Sequence, residues 1–538
     1  MAQLSRRRVI GGAAGALGTL GVLSLTGCGT SRTPAAPSAS SPIRPPQSIS
    51  SVTTVVAQEN RAAGSTDWQT TAGGLRSNLD TVGQIQGYAS ASSVTAGERI
   101  TFHVSTGTPQ DFKVTVHRLG HYGGAGGRLM TTSPTLKGVR QPPPEMLTAT
   151  DTLHCPSWTP SWSLEIPQNW LSGIYLASFT TADGYRSAAP FVVRDNRQPE
   201  FLVVVPFATY QAYNNFPFDG RTGRSLYYGF VNGPSAPQVR QVSPDGHAYK
   251  PGEGRHAGSG LRYWEFYPGR SRTVSFRRPY ADNGIPRLFD LDHSFARWAE
   301  AEGLDVGYTT SMDLHDGLVK PGRHTALLFS GHDEYWSQPM RDSAEQAVLG
   351  GTGLGFFAAN NVYWKVRLER DPAGFPLMTC FKNDPDPGHA GLDRTTTWRD
   401  LGKGHPQAEQ GLLGSMYLGL ITGSQPMIVT EPGHWFWAGT GLAAGDRLPG
   451  LVTGELDGIA KGMPRAIGAT EQVLLSETPF PWRGRSSVQR TSWYNAGSGA
   501  MVFNAGTFGW STALGGPSGL RLPQVQRATG NLLARMRA

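Results

Sequence analysis

Five consecutive large apolar residues, Phe201-Leu202-Val203-Val204-Val205, constrain this chain more than any other feature. No polar residue alternates through them, so neither face of the strand they form can meet water. That is the pattern of a strand in a parallel sheet covered on both sides. Thr325-Ala326-Leu327-Leu328-Phe329 repeats it, Gly353-Leu354-Gly355-Phe356-Phe357-Ala358 repeats it again, and Asp305 to Tyr308 adds a short strand. Helical signals lie between them. Phe295, Trp298 and Ala299 share one face of a helix over 292–302. Ser337 can cap a second helix, with Pro339 in its first turn and Gly350 at its end. Strand, helix, strand, strand, helix, strand predicts an α/β body with a largely parallel sheet.

Open α/β sheets bind ligands beyond the carboxyl ends of their strands. Polar residues collect there in this chain. Tyr213 and Asn214 follow the first strand, Asp313 and His315 the second, His332 and Glu334 the third, and Asn360 the fourth. In an extended His332-Asp333-Glu334, the outer two side chains share a face and Asp333 turns away. An imidazole beside a carboxylate serves a metal ion or acid–base chemistry, although the triplet alone also fits surface decoration. The sequence carries no HExxH, no Gly-x-Ser-x-Gly elbow, no phosphate-binding P-loop and no CxxC pair.

From 76 to 195 the pattern alternates at period two, as in Arg99-Ile100-Thr101-Phe102-His103-Val104 and Phe112-Lys113-Val114-Thr115-Val116. Short strands with Gly and Pro turns predict an all-β sandwich domain. The composition agrees: 69 Gly and 39 Pro make up about one fifth of the 538 residues, which excludes a helix bundle. Hydrophobic residues at 38%, with 14 Trp, exclude global disorder. The net charge of +8 is dispersed, mostly over Arg, so no nucleic-acid partner is expected.

The N-terminus reads as an address. Arg6-Arg7-Arg8 precedes a short apolar stretch from Gly11 to Leu25, as in a twin-arginine export signal. Leu25-Thr26-Gly27-Cys28 resembles a bacterial lipobox, in which Cys28 is lipidated. The organisation expected is a signal over 1–28, a Ser/Pro-rich tether and extended lead-in over 29–75, the sandwich over 76–195 and the α/β body over 196–538. The localisation expected is exported, anchored to the outer face of the cytoplasmic membrane. Cys155 and Cys380 are expected as free thiols, with a bridge as the alternative that an oxidising compartment allows.

Several ordered blocks resemble the large (beta) subunit of N,N-dimethylformamidase and its relatives, from about 76 to 535. They include Arg118-Leu119-Gly120-His121-Tyr122-Gly123-Gly124, Gln211-Ala212-Tyr213-Asn214, Phe276-Arg277-Arg278-Pro279-Tyr280, Gly331-His332-Asp333-Glu334-Tyr335-Trp336, Asn360-Asn361-Val362-Tyr363-Trp364 and Gly454-Glu455-Leu456-Asp457. The resemblance implies a β-rich domain ahead of an α/β domain of the glutamine-amidotransferase type. It also implies a mononuclear iron, as Fe(III), held by two tyrosines and a glutamate and used to hydrolyse a small amide. Glu334 matches the carboxylate ligand, Tyr213 the first tyrosine and Tyr280 the second, with Tyr227, Tyr228, Tyr263 and Tyr267 nearby in the sequence. His332 then handles protons or supports the ligands, and Glu455 matches a separate catalytic glutamate. Asn214, Asp313, His315 and Asn360 are the expected substrate-facing or supporting residues.

The chain also departs from that family. The formamidase works with a small partner subunit and is not an anchored lipoprotein, whereas this chain carries its own export signal. The Gly-, Pro- and Arg-rich segment from Asn232 to Arg270 borders the expected site and leaves the substrate open. The rival reading is a non-catalytic surface lipoprotein whose β domain binds glycan or peptide.

Overall fold

The alternating segments at the front of the chain pair into two sheets, one of seven strands and one of three. The computed structural model describes residues 53–219, 222–229, 264–265 and 270–538. Ile100, Phe102 and Val104 of the smaller sheet meet Val114, Val116, Tyr175, Ala177, Phe179 and Phe191 of the larger in one core. The larger sheet is dry on its other face too. Along Gly173–Thr181, Ile174 and Leu176 point away from Tyr175 and Ala177, into the core of the rest of the molecule. Period-two alternation therefore sorts this strand between two interiors rather than between core and water.

A buried ion pair pins the front region to the body behind it. Arg118 Nη2 lies 2.8 Å from Glu300 Oε1, and both side chains are fully buried. The Tyr308 hydroxyl also donates to Glu300, and Arg118 also donates to the Tyr122 hydroxyl. A buried pair is tolerable only when its remaining polar atoms are satisfied in this way. The described part of the lead-in, residues 53–75, is not extended as expected. A short helix, Val55–Glu59, buries Val56, and Asn60 Nδ2 donates to Glu300 Oε2 at 2.8 Å. An apolar anchor and a third donor to a buried carboxylate hold the segment down.

In the second body, the central sheet runs in the order Val306–Thr310, Phe201–Val205, Ala326–Phe329, Gly353–Phe356, Met501–Asn504, Arg485–Ala496 and Ala469–Trp482. The first five strands are mutually parallel and the last two antiparallel. The three apolar runs and the short strand expected at 305–308 supply four of the five parallel strands. The sheet reverses its order of growth between Phe201–Val205 and Ala326–Phe329, the place where open α/β sheets bind ligands, beyond the carboxyl ends of the strands. The expected helices are Phe289–Ala301 and Gln338–Leu349, the latter with Ser337 as N-cap and Gly350 as C-cap. A separate hairpin, Met416–Ile428 with Arg447–Gly458, accompanies the sheet. Helix takes 20% and strand 36% of the residues, so the molecule is β-rich with several sheets. Cys155 and Cys380 are both buried free thiols. Cys28, the export signal and most of the tether lie outside the described residues, as does nearly all of the segment from 232 to 270. Among the described residues no helix is long and apolar enough to cross a membrane.

Candidate functional site

The two strands at the sheet's reversal deliver the centre of the site. Phe201–Val205 ends at Pro206 and turns into a short, wholly buried helix, Phe207–Tyr213. Ala326–Phe329 ends in Ser330-Gly331-His332-Asp333-Glu334. Gly331 has to be glycine, because a Cβ there would overlap the Asp292 carboxylate. Thr209 of the helix ties the two ends together, its Oγ1 accepting from the backbone N–H groups of Glu334, at 2.9 Å, and Tyr335, at 3.2 Å.

The Tyr213 hydroxyl then meets Glu334 Oε2 at 2.6 Å. His332 Nε2 lies 3.3 Å from Glu334 Oε2 and 3.5 Å from Glu455 Oε2, but makes an aligned hydrogen bond to neither. Its Nδ1 contacts the Ala359 carbonyl at 2.9 Å, which orients the ring, and Phe508 covers it with ring centroids 4.9 Å apart. Asn360 Nδ2 reaches Glu455 Oε2 at 2.9 Å and Glu334 Oε1 at 3.3 Å.

Burial of so many charges shifts their titration. Burial, with the Glu334 carboxylate, pushes Glu455 up to about 7, against the opposing pull of His332. Burial disfavours the His332 imidazolium, but the Glu455 and Glu334 carboxylates outweigh it and raise His332 to about 9. Burial and then the two glutamates hold the Tyr213 phenol well above its usual range.

The sequence candidates separate into two groups. Tyr213, His332, Glu334, Asn360 and Glu455 come together. Tyr280 does not join them. Its ring lines a different cleft, between the front sheets and the body, with Tyr88, Phe276 and Arg278, and its buried hydroxyl makes no aligned hydrogen bond among the described residues. Its motif does hold the neighbourhood of Tyr213: Arg278 Nη2 donates to the Asn214 carbonyl at 2.7 Å, and Asn214 Nδ2 donates to the Pro279 carbonyl at 2.8 Å. Asn214 is thus a strut of the loop. Asp313 caps its own helix through Thr310 and pairs with Arg194 at 2.8 Å. His315 contacts the Ser337 hydroxyl. Both follow Val306–Thr310, an edge strand beyond the reversal point, which carries them away from the crevice.

Thr209, Asp457, Asn504 and Phe508 escaped the sequence reading. Only Asp457 left a signal, two residues after Glu455 and hence on the same face of an extended strand. The partly exposed Tyr363 and Tyr417 flank the mouth, their rings 5.6 Å apart.

Among the described residues no three His, Cys, Asp or Glu side chains form a metal cage. Tyrosine and carboxylate oxygens are the hard donors that a cation would meet here. Tyr213 and Glu334 bring two such oxygens together, the phenol hydroxyl donating to the carboxylate at 2.6 Å. Tyr280 shows no contact with Tyr213 or Glu334, whereas the Tyr227 ring lies 5.0 Å from that of Tyr213; Tyr263 and Tyr267 fall outside the described residues.

Residues 113–524, well over half the chain, match the family described as N,N-dimethylformamidase beta subunit-like, C-terminal. The chain belongs to this family. The match begins inside the sandwich strand Gln110–Leu119, so the dimethylformamidase-like region spans both the front sheets and the body. No curated protein matches the chain. Among solved structures, the cellulose-active LPMO CelS2 in complex with copper is 22% identical over 19% of this chain and 51% of its own, with a TM-score of 0.12. A Paenibacillus sp. cycloisomaltooligosaccharide glucanotransferase complexed with cycloisomaltoheptaose is 9% identical over 64% of this chain and 61% of its own, with a TM-score of 0.16. The chain thus spans 51% and 61% of the length of these two structures, and at such TM-scores neither likeness bears on its fold.

Proposed function

We propose that the protein is an exported, iron-dependent amidohydrolase that cleaves the C–N bond of a small amide. The observation that carries this reading is the meeting of Tyr213, Glu334, His332 and Glu455 at one buried crevice, in a chain of the dimethylformamidase-like family. Tyr213 and Glu334 are the residues that would hold the iron. Bound there as Fe(III), the ion supplies Lewis acidity toward the amide oxygen and toward water.

The remaining steps belong to the chain. Glu455 takes the proton of the attacking water and returns it to the departing amine, a role suited to a carboxyl titrating near neutrality. His332, between the two carboxylates, balances their charge as Glu455 gains and loses that proton. Asn360 holds both glutamates by one amide nitrogen. Phe508, Tyr363 and Tyr417 wall the approach and keep bulk water from the deep end.

Outside the site, Cys28 anchors the chain to the outer face of the cytoplasmic membrane. The test is direct. Purified protein expressed with iron should hold about one iron per chain, show tyrosinate-to-iron visible absorption and hydrolyse members of a panel of short formamides and acetamides. Protein that is metal-free, colourless and inert on that panel overturns the reading in favour of a surface-binding lipoprotein. Replacing Cys28 by Ala should release it from the membrane fraction.

A further inference from the structure

We propose that Asp457 is a positioning residue, which fixes the separation of the Glu334 and Glu455 carboxylates through Asn360 and Asn504. The inference rests on the hydrolase reading only in giving those glutamates their roles; the linkage itself is geometric.

Asn360 has a left-handed backbone, with φ at 52°. Asn is among the few residues other than glycine that adopt this conformation readily, and what fixes its orientation is a hold on its N–H. Asp457 provides it, Oδ1 accepting the Asn360 N–H at 2.8 Å. The Asn360 side chain then offers its two amide hydrogens to two acceptors, Glu455 Oε2 and Glu334 Oε1. Both acceptors are carboxylates, so only the NH2 end of the amide can face them. One nitrogen thereby sets the distance between the two acids.

The other oxygen of Asp457 is also committed. Asn504 Nδ2 donates to Asp457 Oδ2 at 2.9 Å and contacts Ser415 Oγ at 2.8 Å, while Asn504 Oδ1 accepts from the Gly506 N–H at 3.1 Å. Asn504 cannot flip without breaking those contacts. Asp457 is fully buried and needs both acceptors. It stands on the Arg447–Gly458 strand, on the same face as Glu455, while Asn360 and Asn504 lie at the carboxyl ends of two neighbouring parallel strands. Asp457 is thus where the hairpin carrying Glu455 is locked in register with the sheet carrying Glu334.

The experiment is a swap. Asp457→Asn keeps size but replaces one acceptor by a donor, which must face either the Asn360 N–H or the Asn504 NH2. kcat should fall ~10²-fold, as misplacement of about 1 Å does, with KM and bound iron unchanged because Asp457 touches neither substrate nor metal. The double variant Asp457→Asn/Asn504→Asp restores donor–acceptor matching, since the carboxylate introduced at position 504 accepts from the amide introduced at 457 and from the Gly506 N–H. It should recover most of the lost kcat. Crystal structures give a readout independent of activity: the Asn360 amide should leave one glutamate in the single variant and return in the double. A folded Asp457→Asn with Asn360 unmoved overturns the proposal, as does a double variant that leaves Asn360 displaced. If Asp457→Asn does not fold, Asn504→Ala, which removes only the far hydrogen bond, should cost about tenfold in kcat. Its retention of full kcat with Asn360 in place is equally fatal. Should the wild type cleave no amide, the hydrolase reading fails while the crystal structures still decide the positioning role.

Discussion

Glu334 leaves the carboxyl end of a parallel strand with 3% of its side chain exposed, whereas Glu455 rides on a hairpin strand and keeps 16% open. The first accepts a hydrogen bond from a buried phenol. The second faces a mouth walled by partly exposed aromatic rings. Two acids that both approach His332 Nε2 thus live under different constraints. The sealed one is placed by strand direction and helix packing, and suits a fixed ligand. The open one is placed by side-chain hydrogen bonds, and suits a group that exchanges protons with water.

This contrast can be broken most sharply at its deep end. Glu334→Ala removes the acceptor of the Tyr213 hydroxyl and one of the two anions facing His332. Iron content and turnover should both fall to background, measured by metal analysis and by the amide assay. Full iron retention would move the ligand role elsewhere. Glu455→Gln should keep iron and visible colour while losing ~10²–10⁴-fold in kcat, the span expected of a lost general base. Loss of iron there would erase the distinction between the two acids.

Smaller effects sharpen the picture of a locked interior. Thr209→Val leaves the Glu334 and Tyr335 N–H groups without their acceptor, which should cost ~1–3 kcal/mol in urea unfolding. A wild-type midpoint would mean that the deep loop is held by something else. The smallest effect is a pH profile. Burial raises Asp292, beneath Gly331, to about 7, with the Ser330 and Tyr210 hydroxyls partly opposing. A folded-state value above the unfolded one means stability that is complete below pH 3.8 and is lost as pH rises through about 7. Asp292→Asn has no such proton to lose. Its urea midpoint should therefore gain on the wild type between about pH 4 and 7 and run parallel above that range.

The deep end was also the legible one. Unbroken apolar runs at 201–205, 325–329 and 353–358 give strands because nothing in them tolerates water, and strand polarity then gathers Tyr213, His332, Glu334 and Asn360. The same logic overreached at Asp313 and His315, because a sequence does not say which strand ends up at the sheet's edge. Tyr280 shows a different limit: its motif acts here through Arg278 and Pro279, which brace the loop after Tyr213. The hairpin end was nearly silent. Its strands carry glycines, prolines and register shifts between Tyr417 and Gly419 and between Ile421 and Ser424. The Asp457–Asn504 bond spans 47 residues and rests on two ordinary polar side chains. Long-range hydrogen bonds of this kind leave no periodicity to read.

The doubly buried front sheet bears on how such a protein can be inherited. Its Ile174 and Leu176 belong to one interior and its Tyr175 and Phe179 to another, with the Arg118–Glu300 pair set into the seam. A fragment ending near residue 195 would turn an apolar wall toward solvent and leave a guanidinium without its counter-charge; the remainder would carry an orphaned carboxylate in the matching place. Recombination between relatives therefore succeeds only when both sides of the seam travel together, and a new specificity is more readily acquired by rewriting loops at the crevice mouth than by exchanging the front half.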